Sequence, residues 1–186
     1  TLIIPELMRL LLDEHHLSWE DAWHLSTQVF SYTNHTLMNE ALEKWPVFLV
    51  REQLPRIYQL IEEIDRRHCL ELTRNGIHEW ESWNDNVIIE NDEIHMARLA
   101  IIGSHKVNGV AKLHSSILKN HLMKSFSVRF PDRFTNKTNG ISHRQWLMNA
   151  NPLLSDFITE LIGDNWKSNP QDLEELLTYR DNHEVL

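Results

Sequence analysis

The chain has 186 residues, of which 41% are hydrophobic and 24% are charged, a composition typical of globular domains. Eighteen Lys and Arg against 27 Asp and Glu give a net charge of −9, which argues against a nucleic-acid surface because phosphate binding requires clustered cations. Cys69 is the single cysteine, so an internal disulfide is excluded. The first residues lack the features of a signal peptide, and no apolar run approaches the roughly 20 residues of a membrane span. We therefore expect a cytoplasmic protein without membrane contact.

The first third of the chain is predicted to be helical. Pro5, at a first helical position, predicts a helix, and Ser18 with Asp21 three residues later predicts the capped start of a second helix. A short helix is predicted over residues 37–45, where it stops before a proline. Apolar residues at helical spacing predict the longest helix over residues 55–72.

The middle of the chain predicts strands. Residues 73–86 are interpreted as a surface excursion, because turn residues cluster there without periodicity. Two strands are predicted at residues 87–89 and 94–102, the second ending in an apolar run that suits burial on both faces. Residues 103–109 are interpreted as a polar loop between that strand and a helix over residues 110–119. In open α/β sheets, ligands bind at such strand-to-helix loops.

The last quarter is again predicted to be helical. Ser142 is expected to cap one helix, a second helix is expected to be closed by Gly163, and Pro170 is expected to start a third. A domain boundary is expected within residues 131–152, where a long loop interrupts the pattern.

Three polar loops carry the candidate chemistry. They are Tyr32–Thr36, Gly103–Gly109 and Asn136–Gly140, each of which concentrates hydroxyl and amide groups. Such loops can bind a polyol such as a sugar, whose hydroxyls need many fixed hydrogen-bond partners. The alternative is ordinary turn chemistry, since Asn and Thr side chains readily bond the local backbone.

The sequence gives little support for a metal site or for a nucleophilic active site. The 12 histidines include no H-E-x-x-H pattern and no paired carboxylate ligands, so no metal site is predicted. Ser104 is not in a G-x-S-x-G motif, and Cys69 lies in a predicted helix without an activating loop. Residue by residue, the sequence therefore contains no complete catalytic constellation.

The three polar loops lie in three of four motifs that, in this order, closely resemble the middle of the glycogen, starch and maltodextrin phosphorylases. The motifs are Ile4–Arg9, Tyr32–Pro46, Gly103–Ser115 and Asn136–Trp146. The resemblance extends to about Leu177 and is weakest at residues 73–93.

The resemblance implies an α/β fold. The chain is expected to be a segment of a glycosyltransferase-B type two-domain fold, mostly α-helical itself with a few strands. Residues 1–140 are expected to be the C-terminal part of the N-terminal catalytic domain, and residues 141–186 the start of the C-terminal, cofactor-binding domain. A homodimer is implied for the full-length protein.

The same resemblance implies a reaction and its partners. A full-length α-1,4-glucan phosphorylase is a glycosyltransferase that uses orthophosphate to release terminal glucose from glycogen or maltodextrin as glucose 1-phosphate, with retention. Its cofactor is pyridoxal phosphate. The alternative is a non-catalytic carbohydrate-binding or interaction domain derived from that family.

Site residues are also implied by the resemblance. His35 matches the histidine whose carbonyl faces the reacting glucosyl unit, and it is the expected catalytic residue. Asn139 matches the asparagine that holds the glucose 6-hydroxyl, and Val110 matches a residue lining the sugar pocket. Trp146 matches a tryptophan near the cofactor phosphate. Supporting substrate-binding residues are also expected inside the motifs, namely Asn34 and His114.

Some features depart from the family pattern. His143 and Gln145 stand where the family usually has proline and arginine, and Gln145 removes a cation near a phosphate-rich cleft. Asn39 replaces a usual proline. The cofactor lysine and the phosphate-binding cations are expected beyond Leu186, so this segment alone is expected to be inactive.

Overall fold

A computed structural model describes residues 1–74, 76 and 85–183 of the chain. The chain is mostly helical with a few short strands. It forms two compact units, Thr1–Thr138 and Asn139–Leu186. Whether these units correspond to the two predicted domains stays a prediction.

Helices dominate the first unit. The predicted cap of the second helix is confirmed, because Ser18 Oγ accepts a hydrogen bond from the Asp21 amide at 3.1 Å. π-helical turns continue the first helix over Leu10–Glu14 and the sixth over Leu118–Leu122. The helices are α1 (Ile3–Arg9), α2 (Trp19–Val29), α3 (Val47–Gln53), α4 (Pro55–Arg74), α5 (Met96–Ile102), α6 (Lys112–Ile117) and α7 (Lys124–Arg129).

Two small sheets complete the first unit. The parallel sheet has the strand order β1 (Ser31–Asn34), β5 (Lys106–Gly109) and β6 (Phe134–Asn136). The antiparallel sheet has the order β2 (Lys44–Pro46), β4 (Glu93–His95) and β3 (Ile89–Glu90). A two-residue turn joins β3 to β4, with positive φ angles of 51° at Asn91 and 60° at Asp92. Such angles are typical of tight hairpins.

The core of the first unit forms around α4, and the prediction of this long helix is confirmed. Ile57, Ile61 and Ile64 recur at helical spacing and are buried on one face. They share one apolar cluster with α5, with Val107 of the central parallel strand and with other residues of the unit. Helix α4 and the central parallel strand therefore contribute to the same core.

The helix predicted over residues 37–45 is wrong. The chain there has a 3₁₀ turn at Asn39–Ala41 and then strand β2, in which Trp45 pairs with Ile94. Local bonds hold the preceding loop extended: the Thr36 amide donates to Asn34 Oδ1, and the Met38 amide donates to Thr36 Oγ1. Pairing with a distant strand and side-chain bonds to the backbone outweigh local helix propensity here.

The strand predicted over residues 94–102 is correct only at its start. Strand β4 ends at His95, and Met96–Ile102 form helix α5. Met96, Ala97 and residues 99–102 are all buried. A segment buried on nearly every side has no apolar periodicity, so a buried helix and a buried strand look alike in the sequence.

Two of the predicted polar loops contain strands. Tyr32, Thr33 and Asn34 lie in β1, and Lys106–Gly109 form β5, the centre of the parallel sheet. These strands have only four residues each and carry polar side chains, so they lack the apolar alternation by which strands are recognised. The helix predicted after the second loop is confirmed in part, as α6.

The predicted surface excursion at residues 73–86 lies mostly outside the described residues, since 75 and 77–84 are not described. Thr73 and Arg74 form the last turn of α4. Among the described residues, no helix is both long enough and apolar enough to cross a bilayer.

The second unit has its own small core around Trp166, which is fully buried. Its helices are a π-helical turn at Arg144–Asn149, α8 (Pro152–Ile162) and 3₁₀ segments at Asn165–Lys167 and Pro170–Tyr179. The indole of Trp166 donates to Thr159 Oγ1 at 3.3 Å. Gly163 ends α8 with a φ of 79°, which confirms the predicted glycine stop.

Candidate functional site

The three strands of the parallel sheet end in register. Asn34 of β1 pairs with Gly109 of β5, and Gly109 pairs with Asn136 of β6. Because the strands are parallel, the chain leaves all three at the same edge of the sheet. Ligands of α/β sheets bind outside this carboxyl edge. The three polar stretches singled out in the sequence therefore have strand ends that lie side by side, at Asn34, Gly109 and Asn136.

The first segment at this edge follows β1. Asn34 is almost fully buried, with 1% of its surface exposed. Its Nδ2 lies 3.0 Å from the Tyr32 hydroxyl, and its Oδ1 accepts from the Thr36 amide at 3.0 Å. Both polar ends of Asn34 are therefore engaged locally, and this fixes the turn that presents the exposed His35.

The second segment follows β5 and is fixed by α6. The Val110 amide donates to His114 Nδ1 over 3.4 Å, a long hydrogen bond. An accepting Nδ1 carries no proton, so the ring proton lies on Nε2. Within the described structure, His114 Nε2 and Asn108 Oδ1 are buried without a hydrogen-bond partner. The edge at β5 thus has one donor and one acceptor whose hydrogen-bonding capacity is unused.

The third segment follows β6 and is tied to the second. Ser115 Oγ donates to Asn136 Oδ1 at 2.7 Å, and the Lys137 amide donates to the Gly109 carbonyl at 3.1 Å. Asn136 Nδ2 lies 3.4 Å from the Thr138 hydroxyl. Hydrogen bonds of the Asn136 side chain and of the Lys137 main-chain amide therefore both hold the segment that follows β6.

The other predicted site residues belong to the second unit. Asn139 is exposed, and Trp146 is 73% exposed on its π-helical turn. His143, one of the departures from the family pattern, has its Nε2 2.9 Å from the Lys167 carbonyl. Its ring lies 6.1 Å from that of Trp166 in a tilted arrangement. His143 therefore packs within the core of the second unit.

Sequence reasoning did not identify the contact between Ser115 and Asn136. The two residues are 21 positions apart, and although each lies at one end of a motif, the resemblance implies no role for either. A hydrogen bond between distant residues leaves no periodic signal in one sequence. Gly109 is the sequence feature that could have indicated this contact, because a glycine at a strand end can mark the close approach of another backbone.

A cavity in the described part of the chain lies elsewhere in the first unit. It measures about 1080 Å³ and is lined by the loop before β2, by the β4–α5 junction and by residues 117–126. Its wall carries charges of both signs, among them Glu43, Arg98 and Lys124. None of His35, Asn34 or Val110 lines it. The carboxyl edge and this cavity are distinct features.

Burial explains the shifted pKa values of two groups away from the carboxyl edge. Burial, helped by the nearby Arg98 and Lys44, lowers the pKa of His95 to about 4, although Glu90 opposes the shift. Burial likewise raises the pKa of the Cys69 thiol to about 12, so this thiol is not a reactive nucleophile. In the described part of the chain, no group of three or more His, Cys, Asp or Glu side chains is arranged to hold a metal ion.

Comparison with known proteins settles the family. The sequence profile of the carbohydrate phosphorylases matches residues 1–186, the whole chain. The chain belongs to the carbohydrate phosphorylase family. This membership confirms the resemblance inferred from the four motifs.

Individual carbohydrate phosphorylases are similar along most of the chain. Glycogen phosphorylase of Bacillus subtilis (strain 168) is 52% identical over 178 residues, which are 96% of this chain and 22% of the relative. The liver form of glycogen phosphorylase of Homo sapiens is 44% identical over 181 residues, 96% of this chain and 21% of the relative. Maltodextrin phosphorylase of Streptococcus pneumoniae serotype 4 is 41% identical over 181 residues, 97% of this chain and 23% of the relative. The chain thus spans about a fifth of the length of these relatives.

Proposed function

We propose that this chain is part of an α-1,4-glucan phosphorylase and supplies the sugar side of its active site. The whole enzyme would use orthophosphate to release terminal glucose from glycogen or maltodextrin as glucose 1-phosphate. One observation carries the proposal: three polar segments from family motifs leave one edge of the parallel sheet in register, at Asn34, Gly109 and Asn136. That edge is where an α/β sheet binds its ligand.

His35 is the proposed catalytic residue. It follows β1 directly and is exposed, on a turn fixed by the buried side chain of Asn34. A main-chain carbonyl held in a rigid turn can stabilise the positive charge that develops on a glucosyl unit as its bond breaks, at no cost of reorganisation. Asn34 is proposed to act indirectly, by holding that turn.

Val110 and Asn139 are the proposed sugar contacts. Val110 follows β5 and is partly buried. Its amide donates to His114, and this hydrogen bond fixes the backbone that carries the Val110 side chain. Asn139 is exposed and carries an amide that suits a sugar hydroxyl. A site that hydrogen-bonds each hydroxyl discriminates strongly against sugars that lack one. His114 is proposed to support the Val110 segment.

The larger architecture is proposed as well. The parallel sheet and helices of the first unit suit the N-terminal catalytic domain of a glycosyltransferase-B type fold, and the second unit suits the start of the cofactor-binding domain. A homodimer in the cytoplasm is proposed for the full-length protein from the family resemblance alone.

The described residues do not form a complete pyridoxal phosphate site. Trp146 is the residue that the resemblance places near the cofactor phosphate, and its indole is 73% exposed. An indole offers one N–H donor and an apolar face, without the positive charge that makes hydrogen bonds to a phosphate group strong. Gln145 beside it is neutral. Pyridoxal phosphate therefore stays a proposal for the full-length enzyme, and this chain contributes at most one wall of its site.

An assay on the full-length protein that carries this segment tests the proposed function. With pyridoxal phosphate bound, we expect phosphate-dependent release of glucose 1-phosphate from maltodextrin. Absence of release from a cofactor-loaded protein would contradict the proposal. If that protein still binds maltodextrin, the result favours a non-catalytic carbohydrate-binding domain of the same family.

A further inference from the structure

Helix α6 lies at the centre of the carboxyl edge, directly after β5. Its neighbouring residues His114 and Ser115 bond different segments of that edge. His114 accepts from the Val110 amide, whereas Ser115 donates to Asn136 at the end of β6. One short helix therefore contacts two of the three segments.

The absence of a side chain at Gly109 allows Ser115 to approach the backbone of β5 closely enough to bond Asn136. A Cβ atom built on Gly109 would lie 2.8 Å from Ser115 Cα and would also collide with Ser115 Oγ. Ser115 therefore sits on the bare backbone of the central strand. Its hydroxyl passes over Gly109 to the register partner of that glycine, Asn136.

The bond to Asn136 is the shorter of the two contacts from α6. At 2.7 Å it has the length of a well-formed O–H···O hydrogen bond, and it is partly buried. Asn136 passes the constraint on, since its Nδ2 lies 3.4 Å from Thr138 Oγ1. The Lys137 amide is also held by the Gly109 carbonyl. Asn139 follows Thr138 in the sequence.

We propose that Ser115 is a positioning residue, whose hydroxyl holds the segment that follows β6 and leads to Asn139. This inference rests on the proposed phosphorylase function, since the segment it holds is the one proposed to bind sugar. Ser115 acts through Asn136 and does not touch the substrate. A shift of about 1 Å in a substrate-positioning group can lower the rate substantially.

Selectivity for the sugar 6-hydroxyl measures this role better than activity alone. In the full-length protein, the selectivity ratio is kcat/KM for elongation of maltodextrin with glucose 1-phosphate divided by kcat/KM with its 6-deoxy analogue. We expect Ser115→Ala to lower this ratio roughly fivefold, the effect of one hydrogen bond. Asn136→Ala should lower it at least as much, because it removes the bond to Ser115 and also the contact with Thr138, and the double variant should lower it no further than Asn136→Ala.

Ser116→Ala is the matched control, because Ser116 is the next residue of α6 but is exposed, and within the described residues its hydroxyl accepts a hydrogen bond from Asn120 Nδ2 at 3.2 Å. It should keep the wild-type ratio. A wild-type ratio in Ser115→Ala overturns the proposal. So does an equal loss in Ser116→Ala, because that would show a general effect of altering α6.

A second measurement separates this proposal from the proposed function. Amide NMR spectra of the 186-residue chain are compared for Ser115→Ala and Ser116→Ala. Shifts at Lys137 and Thr138 in the first variant alone support the positioning role, even if the full-length protein releases no glucose 1-phosphate. Equal or absent shifts at these amides overturn it.

Discussion

At the scale of single residues, His68 is the clearest case in which tertiary structure changes a side chain's chemistry. It lies in α4 and is only 4% exposed. Burial, followed by the charges of Arg129 and Arg133, lowers its pKa from 6.5 to about 4, and a hydrogen bond with the Asn86 backbone opposes the shift. His68 is therefore neutral in the folded chain at neutral pH.

This shift predicts acid sensitivity. Between pH 6.5 and 4 the unfolded chain binds a proton at His68 that the folded chain does not, so stability falls as the pH falls through this window. A shift of this size corresponds to about 3 kcal/mol. Urea unfolding measures the free energy of unfolding at each pH. Between pH 7 and pH 4 it should fall by about 3 kcal/mol more in the wild type than in His68→Leu.

An NMR titration of the His68 imidazole checks the same prediction without a substitution. The ring should remain neutral at pH 5. A ring that is mostly protonated at that pH, or equal losses of stability in the wild type and in His68→Leu, would show the prediction to be wrong.

At the scale of elements, helix α5 depends on a distant side chain for its C-terminal end. Arg133 Nη1 donates to the carbonyls of Ile101 and Ile102 at 3.0 and 3.2 Å. Its guanidinium also packs over the Phe130 ring, at 3.9 Å from the ring centre. The last carbonyls of a helix have no partner within the helix, so a buried helix end requires such donors.

Removal of this donor should weaken the first unit. Arg133→Met keeps much of the apolar stem but removes the guanidinium donor from the Ile101 and Ile102 carbonyls, of which Ile101 keeps a long bond from the Ser104 amide at 3.5 Å. We expect a loss of about 2 kcal/mol in the free energy of unfolding. Hydrogen exchange should accelerate over residues 96–105. Chemical denaturation and exchange mass spectrometry measure the two effects.

Lys106→Met is the matched control for Arg133→Met. Lys106 also donates to a backbone carbonyl, that of Asp132 at 2.7 Å, but it is exposed. We expect its loss to change stability by no more than about 0.5 kcal/mol. If the two substitutions prove equally costly, burial of the α5 terminus is not the reason for the effect.

At the scale of the whole molecule, the chain consists of two compact units, yet it spans about a fifth of its relatives. Several proposed site residues lie in the first unit, whereas Asn139 and Trp146 lie in the second. Most of the length of these relatives has no counterpart in this chain. The isolated chain is therefore predicted to be inactive.

Cofactor attachment tests this view of the whole chain. After incubation with pyridoxal phosphate, borohydride reduction and removal of the excess, we expect no site-specific pyridoxyl group on the 186-residue chain by mass spectrometry. The full-length protein treated in the same way is the positive control. A single modified lysine mapped within this chain would contradict the prediction.

Local signals in the sequence were reliable where one segment decides its own structure. The Ser18 cap, the long amphipathic helix α4 and the Gly163 stop were all predicted and are confirmed. Each depends on residues within a few positions of one another, through side-chain capping, helical periodicity or a positive φ. Motif order was equally reliable for the family.

Predictions failed where a distant partner decides the structure. Residues 44–46 form a strand because β4 pairs with them, and Met96–Ile102 form a helix whose burial removes its periodicity. Strands β1 and β5 are short and polar, and they are strands because β1 pairs with β5 and β5 pairs also with β6. For the site, the sequence supplied the polar segments but could not show that they share an edge.

The sequence by itself therefore determined the family, the helix caps and stops, and the residue types available to bind a sugar. Only the tertiary structure decided that Asn34, Gly109 and Asn136 lie side by side and that Ser115 reaches Asn136 across a glycine. The physical reason is that capping and periodicity act between near neighbours in the chain. Strand register and the approach of one backbone to another depend on residues as far apart as Ser31 and Lys106, whose pairing no local pattern encodes.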